Sequence, residues 1–501
     1  MSKTRLLLSI FLFTTSALYS KNVKRIEPKN VSSQDPKEAE YYKLETFTPP
    51  PDCVPEVGAI ENLPGGKVAF GTRRGEIWIV SNALDPDISK AKFTKFAEGL
   101  HEILGLAWKD GWLYVTQRPE VSRLKDVDGD GRADIFETVN ADWNITGDYH
   151  EYAFGSRPDK DGNIWVVLCL TGSYHSNAPW RGWCVRITPN GKMLPTAAGI
   201  RSPGGIGFFP DGSVFYDDNQ GVWNGSSSLK QLKVGAFEGH PEPLKWWDLT
   251  KGALGEKPLP SVDRSRVEDE RKRNPKFIPP AIVLPHGHVG QSPTAWDWDE
   301  TGKFGPFVKQ LFIADQTWSV LNRVTYEKVN GVYQGACYLF LKGLRSGPIG
   351  VRMSADGSTL FVGGSDRGWG SRGGHPDGFE RVRWTGKVPF EVFEMKAASD
   401  GFDLTFTQPV DAASARDPIN YRMREYTWVF REEYGGPEVD IVVPKITVTE
   451  VSEDGLHVHL KISPLTQGLV HELHLNGVRS KDGKELLHKE AYYTLNEIPR
   501  K

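Results

Sequence analysis

The sequence carries almost no net charge, few cysteines and no hydrophobic run beyond residue 18 that is long enough to cross a membrane. Its 501 residues include 61 basic and 64 acidic side chains, a formal net charge of -3. Nucleic acids and anionic membranes attract basic surfaces, so this balance disfavours both as partners. No Cys-x-x-Cys-His motif occurs, which excludes covalently attached haem. The 39% hydrophobic and 25% charged residues are typical of a soluble globular protein.

The first residues have the pattern of a secretory signal. Lys3 and Arg5 precede an apolar stretch from Leu6 to Leu18. We therefore expect residues 1–20 to be a signal peptide, residues 21–52 a polar linker, and the protein to be secreted or periplasmic. The mature chain would then have no transmembrane segment. An uncleaved N-terminal anchor is the alternative interpretation.

Export makes disulfides possible for the four cysteines. Cys169 and Cys184 are the best candidate pair because they are expected on neighbouring strands. Cys53 and Cys337 could pair if the N-terminal strand closes the ring described next. Four buried thiols are the alternative.

A hydrophobic segment, an Asp-Gly turn or close variant, and a second hydrophobic segment recur six times. The turns lie at residues 65–66, 110–111, 161–162, 211–212, 301–302 and 356–357. A glycine-containing turn between runs of β-branched and aromatic residues is a hairpin signal, since glycine tolerates positive φ. Six such units predict an all-β fold with a six-bladed β-propeller over residues 53–386.

The repeat ends near residue 387. Residues 387–501 contain short alternating runs such as Phe402–Phe406 and His457–Lys461, without helical periodicity. We expect a C-terminal immunoglobulin-like β-sandwich in this region.

Polar residues recur where the units would meet at one mouth of the propeller. Nine to eleven residues before each turn stand Glu56, His101, His150, Arg201, Ser292 and Ser346. Further candidates for substrate or cofactor binding, most of them just after the second strands, are His101, Glu102, Asp217, Asn219, Gln220, His288, Asp315, Gln316 and Arg367. Polar side chains that converge on a cleft are what a ligand site requires, although propellers also fill their channels with polar groups for structural reasons.

His150 and Arg201 are the candidate catalytic residues. A histidine just before a first strand could act as a general base near neutral pH. Arg201, one unit later, could bind a carboxylate or a developing oxyanion. The structural alternatives are a hydrogen-bonded histidine and a salt bridge from Arg201 to Asp217 or Asp218.

One segment matches the twelve-residue calcium loop pattern. Its predicted ligands are Asp126, Asp128, Asp130, the carbonyl of Arg132, Asp134 and Glu137. The flanking residues have the composition of strands rather than helices. The pattern therefore predicts a hairpin stapled by calcium, with a solvated acidic turn as the alternative.

His150 with residues 158–166, and residues 199–212 around Arg201, resemble segments of the glucose/sorbosone dehydrogenase family. That family consists of six-bladed propellers that use pyrroloquinoline quinone (PQQ) and calcium. Residues 126–137, 292–293, 333–336, 367–369 and 491–496 more closely resemble secreted bacterial proteins labelled as membrane-bound dehydrogenases. The resemblance implies that His150 takes a proton from a sugar hydroxyl while hydride passes to PQQ, with Arg201 on the quinone oxygen.

The chain also departs from that pattern. Gln316 to Ser319 stand where the family has a cofactor-contacting lysine, Gly347 to Gly350 replace its Arg-x-Arg, and Ser202 follows Arg201 instead of asparagine. We thus expect a secreted sugar or polyol dehydrogenase that passes electrons to a separate carrier. The alternatives are a carbohydrate-binding or interaction propeller without redox chemistry, and a carbohydrate lyase or hydrolase that uses the same residues.

Overall fold

The computed structural model describes residues 33–500, and this part of the chain is almost entirely β-structure. It begins with a short helix, α1 (Pro36–Ala39), and a strand, β1 (Tyr42–Thr46). The predicted signal, residues 1–20, and the first part of the predicted linker lie outside the described residues. Between residues 33 and 500, no helix has the length and apolar character needed to cross a membrane.

Six antiparallel sheets follow one another along the chain. The first contains β2 (Val57–Leu63), β3 (Lys67–Thr72), β4 (Ile77–Ser81) and β5 (Lys92–Ala97). The second contains β6 (Gly105–Lys109), β7 (Trp112–Thr116), β8 (Val121–Lys125) and β9 (Ile135–Asn140). The third contains β10 (Ala153–Pro158), β11 (Ile164–Leu168), β12 (Trp183–Ile187) and β13 (Met193–Ala198).

The fourth sheet contains β14 (Pro203–Phe208), β15 (Val214–Asp218) and β16 (Ser227–Gln231), joined later by β18 (Ile282–Leu284). Along the chain between β16 and β18, β17 (Ala236–Phe237) adds to the third sheet as a parallel strand, and helix α2 (Val267–Arg273) follows it. The fifth sheet contains β19 (Pro293–Trp298), β20 (Leu311–Asp315), β21 (Val320–Val329) and β22 (Val332–Lys342). The sixth contains β23 (Pro348–Met353), β24 (Thr359–Ser365) and β25 (Asp377–Trp384).

The first strands of these sheets lie side by side in a closed circle. Contacts run from β2 to β6, β10, β14, β19 and β23, and from β23 back to β2. Glycine permits this crowding: a Cβ on Gly105 would lie 2.8 Å from the carbonyl oxygen of Gly155 in the next first strand. The all-β, propeller-like arrangement predicted from the repeat is therefore confirmed.

Strand β1 closes the sixth sheet from within the predicted linker. Its residues pair antiparallel with β25, from Tyr42 opposite Trp384 to Thr46 opposite Glu380. A buried aromatic side chain anchors this mostly polar segment as a strand: Tyr42 packs against the rings of Phe304 and Phe340.

The C-terminal part is joined to the fifth sheet rather than separate from it. Its strands are β26 (Val392–Ala398), β27 (Gly401–Phe406), β28 (Arg422–Thr427), β29 (Val439–Val442), β30 (Lys445–Val451), β31 (His457–Ser463), β32 (Leu469–His474) and β33 (Glu490–Leu495), with helix α3 (Ala412–Arg416) after β27. Strand β33 pairs with β22, which gives one eight-stranded sheet. A second sheet, in the order β26-β27-β31-β30, shares a hydrophobic core with it around Phe402, Leu460 and Tyr493.

The disulfide prediction is wrong. All four cysteines are free, buried thiols. Cys184 pairs in register with Val167, so Cys169 lies diagonally across the two strands from it. Diagonal neighbours are about 7–8 Å apart, too far for disulfide geometry.

A buried charge cluster ties three parts of the chain together. His488 contacts Glu391 at 2.7 Å and Glu38 at 3.1 Å, and Glu38 also accepts a hydrogen bond from the backbone of Lys342. Burial acts to lower the pKa of His488, but the charges of Glu391 and Glu38 outweigh it and raise the pKa to about 9. The protonated imidazole thus links α1, the end of β22 and the C-terminal part.

We expect this cluster to make stability pH-dependent. Because the pKa of His488 is higher in the folded than in the unfolded chain, its contribution is complete below about pH 6.5 and lost as the pH rises through 9. His488→Gln should lower the free energy of unfolding by about 3 kcal/mol at pH 6. Urea denaturation at several pH values checks this. Parallel stability curves for the two proteins between pH 6 and 9 would contradict it.

Candidate functional site

A cavity of about 470 Å³ opens at the end of the ring where the first strands begin and the second strands end. His150, Arg201 and Ser292 precede first strands, while Asn219 and Gln316 follow second strands. All five line the cavity. The hairpin repeat brings them together because each sheet presents the start of one strand and the end of the next at the same edge.

His150 lies in the cavity wall with a largely neutral imidazole. Burial lowers its pKa below the ordinary value, and the charges of Arg201 and Arg118 act in the same direction, against that of Asp148. The Nδ1 atom is 3.9 Å from the nearest oxygen of Asp148, and the ring centroid is 5.3 Å from that of Trp369. A neutral imidazole in a partly dry site can accept a proton from a bound hydroxyl.

Arg201 is buried beside the cavity, and part of its guanidinium has no hydrogen-bond partner. Its Nη1 donates to the carbonyls of Asn219 and Gln220, at 3.2 and 2.6 Å, and its Nε has no partner. A side chain at position 221 would displace the guanidinium, since a Cβ on Gly221 would lie 1.9 Å from the guanidinium carbon. The free donor and the positive charge suit an anionic or carbonyl oxygen of a ligand.

The side chain of Arg201 does not form the salt bridge considered as an alternative. The Asp218 carboxylate accepts from Lys230 at 3.1 Å and from the backbone of Ser202. Asp217 accepts from the backbone of Gly204. Both aspartates are fully buried and hold the backbone before β14 in place.

The other predicted residues in the cavity have partners in the protein. Gln316 donates to the carbonyls of Ser365 and Trp369, both at 3.2 Å. Arg367 forms an ion pair with Glu56 across the junction between the sixth and first sheets. Asn219 and Gln220 line the same wall as Arg201, and the Oδ1 of Asn219 is buried without a partner.

Five predicted site residues do not line the cavity: His101, Glu102, Asp217, His288 and Asp315. His101 is exposed. Glu102 is buried between Arg73 and Arg118 and forms ion pairs with both.

Asp315 and His288 have structural partners instead. The Asp315 carboxylate accepts from the backbone of Gln291, Ser292 and Trp318, and burial raises its pKa to about 6 against these hydrogen bonds. His288 contacts Glu438 of the C-terminal part at 2.9 Å. Ser346, predicted in the mouth ring, is buried and does not line the cavity.

Tyr174, Gln291 and Tyr434 also line the cavity but were not predicted from the sequence. Tyr174 follows β11, a second strand, and in other sheets the residues after the second strand are polar and line the cavity. The repeat pattern could therefore have predicted it. Tyr434 comes from the C-terminal part and reaches over Arg201, whose guanidinium lies 5.0 Å from the ring centroid. No spacing in the sequence indicates that contact.

The predicted calcium loop joins β8 to β9 as a hairpin. Oxygens of Asp126, Asp128 and Asp130 lie within 4.8 Å of one another. Asp134 instead accepts from the backbone of Val127, and Glu137 lies on β9 opposite Arg123, with which it forms an ion pair. The carbonyl of Arg132 was the predicted ligand; the contact present is a hydrogen bond from the backbone N–H of Arg132 to the Asp130 carboxylate. Three converging carboxylates provide the oxygen donors that a hard cation prefers.

Among the comparisons with known proteins, only those with solved structures bear on the fold. The family described as "Domain of unknown function (DUF7133)" matches residues 67–242. No curated protein matches the sequence. A calcium structure of Trichoderma reesei Carbohydrate-Active Enzymes Family AA12 is 13% identical, with a TM-score of 0.50 over 69% of this chain and 96% of that one.

Two further solved structures are similar at lower TM-score. The PQQ-bound aldose sugar dehydrogenase from Streptomyces coelicolor is 15% identical, with a TM-score of 0.49 over 68% of this chain and 98% of that one. An oxidoreductase (glucose dehydrogenase) from Thermus thermophilus is 18% identical, with a TM-score of 0.49 over 68% of this chain and 99% of that one. Of these likenesses, only that to the Trichoderma reesei structure bears on the fold, and at 13% identity it shows the fold alone.

The electrostatics of the cavity predict opposite shifts in two variants. Arg201→Gln removes a positive charge near His150 and should raise its pKa, whereas Asp148→Asn removes a negative charge and should lower it. Titration of the imidazole signals by NMR, assigned with His150→Asn, measures both. No shift in either variant would mean that burial alone sets the pKa.

Proposed function

We propose that the protein is a sugar or polyol dehydrogenase with a propeller scaffold. Oxidation of a CH–OH group removes a proton from oxygen and a hydride from carbon. His150, neutral at physiological pH, takes the proton, and Arg201 stabilises negative charge on the acceptor of the hydride. The proposal rests on one observation: the same cavity contains this imidazole and a buried guanidinium whose Nε has no hydrogen-bond partner.

In this proposal the six sheets are six propeller blades, and β26 to β33 form an immunoglobulin-like sandwich fused to the fifth blade. The protein is secreted or periplasmic, and a separate carrier removes the electrons.

PQQ is the acceptor that the family resemblance implies, and the cavity fits its quinone side. The guanidinium of Arg201 and the side chains of Asn219 and Thr317 would hold it. When bound, PQQ supplies the hydride acceptor. At its carboxylate side, Gln316 and the uncharged residues 347–350 replace the cations that the resemblance implies, so we expect weaker binding than three cations would give.

The same lack of cations favours a second candidate function. Arg73 and Arg367 also line the cavity, but each is paired with a carboxylate, of Glu102 and of Glu56. Of the lining arginines, only Arg201 has no carboxylate partner. Such a cavity suits a neutral polyhydroxylated ligand, which supports carbohydrate binding without redox chemistry.

Titration and turnover separate the two candidates. For the dehydrogenase, calorimetry of PQQ into the calcium-loaded protein should show one site per chain, abolished in Arg201→Ala and kept in the control Arg479→Ala, a surface arginine of the C-terminal part. Dye-linked oxidation of aldoses and polyols should fall about 100-fold or more in His150→Asn. His457→Asn, at an exposed strand position, serves as its control.

A flat PQQ titration together with sugar binding would overturn the dehydrogenase and support the binding protein. Turnover that survives in His150→Asn would contradict the assignment of the base.

We also propose that the loop at Asp126, Asp128 and Asp130 binds calcium as a structural staple. Calcium at 100 times its Kd should then add about 2.7 kcal/mol to the free energy of unfolding. Asp128→Ala should abolish this gain, and Asp161→Ala, an exposed aspartate in a different hairpin turn, should keep it. Thermal denaturation with calcium and with a chelator measures the effect. An equal response in wild type and Asp128→Ala would contradict the site.

A further inference from the structure

Exposed aromatic side chains are concentrated around the mouth of the cavity. The exposed aromatic side chains in residues 33–500 are Trp108, Phe136, Tyr149, Tyr174, Trp369 and Tyr434. Four of these six, namely Tyr149, Tyr174, Trp369 and Tyr434, lie at or beside the cavity. Exposed apolar groups that gather at one place on a soluble protein mark a binding surface.

Tyr174 and Tyr434 form one side of this rim. Their ring centroids are 6.4 Å apart with an interplanar angle of 44°. Tyr174 is 44% exposed and Tyr434 is 56% exposed, so both rings present a free face to solvent. They stand above Arg201, which contacts the ring of Tyr434.

The backbone holds Tyr434 in this position. The N–H of Gly435 donates to the carbonyl of Gly221 at 3.0 Å, and the N–H of Trp223 donates to the carbonyl of Arg431 at 2.8 Å. These bonds connect the loop of the C-terminal part to the loop that follows β15. Tyr434 is therefore a fixed element of the cavity rather than a neighbour by chance.

Trp369 and Tyr149 form the opposite side. Trp369 is 52% exposed and lies against His150, and Tyr149 donates a hydrogen bond to the carbonyl of Arg367 at 3.1 Å. Only glycine fits at position 368, where a Cβ would lie 1.4 Å from the Tyr149 hydroxyl in a backbone with φ of 86°. The loop that carries Trp369 is thus packed closely against Tyr149.

We propose that this aromatic rim binds the sugar units beyond the one that reacts, so that the substrate is a neutral oligosaccharide or polysaccharide. A pyranose ring has an apolar face of C–H groups that stacks on an aromatic ring, while its hydroxyls need polar partners. The cavity supplies those partners at the His150 end, and the rim supplies stacking surfaces on both sides. This inference rests on the proposed function, since it adds subsites to the same cavity.

The test is affinity as a function of chain length. Cello-, xylo- and malto-oligosaccharides of one to six units are titrated into the full chain by calorimetry. In at least one series, Kd should fall about tenfold or more from one unit to three. A tenfold change corresponds to about 1.4 kcal/mol of binding free energy, which is the size of one stacking contact.

Alanine variants of the rim residues test whether the rim causes this gain in affinity. Tyr174→Ala, Trp369→Ala and Tyr434→Ala should each lose about tenfold more affinity for the longer sugars than for the single unit. Trp108→Ala is the matched control, because Trp108 is exposed at the opposite end of β6 from the cavity. Tyr434→Phe should keep the affinity, since the stacking ring remains.

Equal affinity for all lengths in every series, or equal losses for short and long sugars in Tyr174→Ala, would overturn the rim as a set of subsites. His150-dependent oxidation of monosaccharides would then still stand. Absence of binding and of turnover for every sugar would instead overturn the proposed function and this inference together.

Discussion

Close packing of the first strands around the central axis is the constraint on which the rest of the structure depends. Where β6 and β10 meet, Gly105 and Gly155 leave no room for a side chain. This packing sets the angle between neighbouring sheets and therefore brings the loops at one edge of each sheet to a common mouth. His150 and Arg201 meet there although they belong to different sheets. The chemistry of the cavity is thus a consequence of how the axis is filled.

The buried acidic residues at the strand ends serve this arrangement rather than a ligand. Asp217 and Asp315 accept backbone hydrogen bonds from the residues that begin or precede β14 and β19. Each carboxylate fixes a loop at the mouth and leaves other side chains free to face the cavity. Glu102 has a related role for the two arginines that it pairs with. Polar residues that occupy similar positions in the sequence repeat therefore have two different roles: some hold the backbone of the mouth loops, and others line the cavity.

Periodic features of the fold and site could be predicted from the sequence, and contacts between distant segments could not. Each Asp-Gly turn marks one end of a hairpin, and the strand lengths then locate the other end. This was sufficient to predict that His150, Arg201 and Gln316 lie at the same mouth of the propeller. The same periodicity cannot tell a carboxylate that faces the cavity from one that turns back to the backbone, as Asp315 does. Tyr434 and the partner of His288 depend on how the C-terminal part is placed. The diagonal offset of Cys169 and Cys184 depends on strand register, which composition does not determine.

The pairing of both chain ends with sheets formed by other segments has a consequence for the order of folding. Strand β1 must wait for β25, more than three hundred residues later, and β22 gains its outer neighbour only when β33 has been made. The sixth sheet cannot be completed before residue 384 has been made, and the eight-stranded sheet cannot be completed before residue 495 has been made. Contacts of such long sequence separation slow folding and leave strand edges unpaired in the meantime. A chaperone that shields the unpaired edges of β1 and β22 would therefore matter more during biogenesis than for the finished protein.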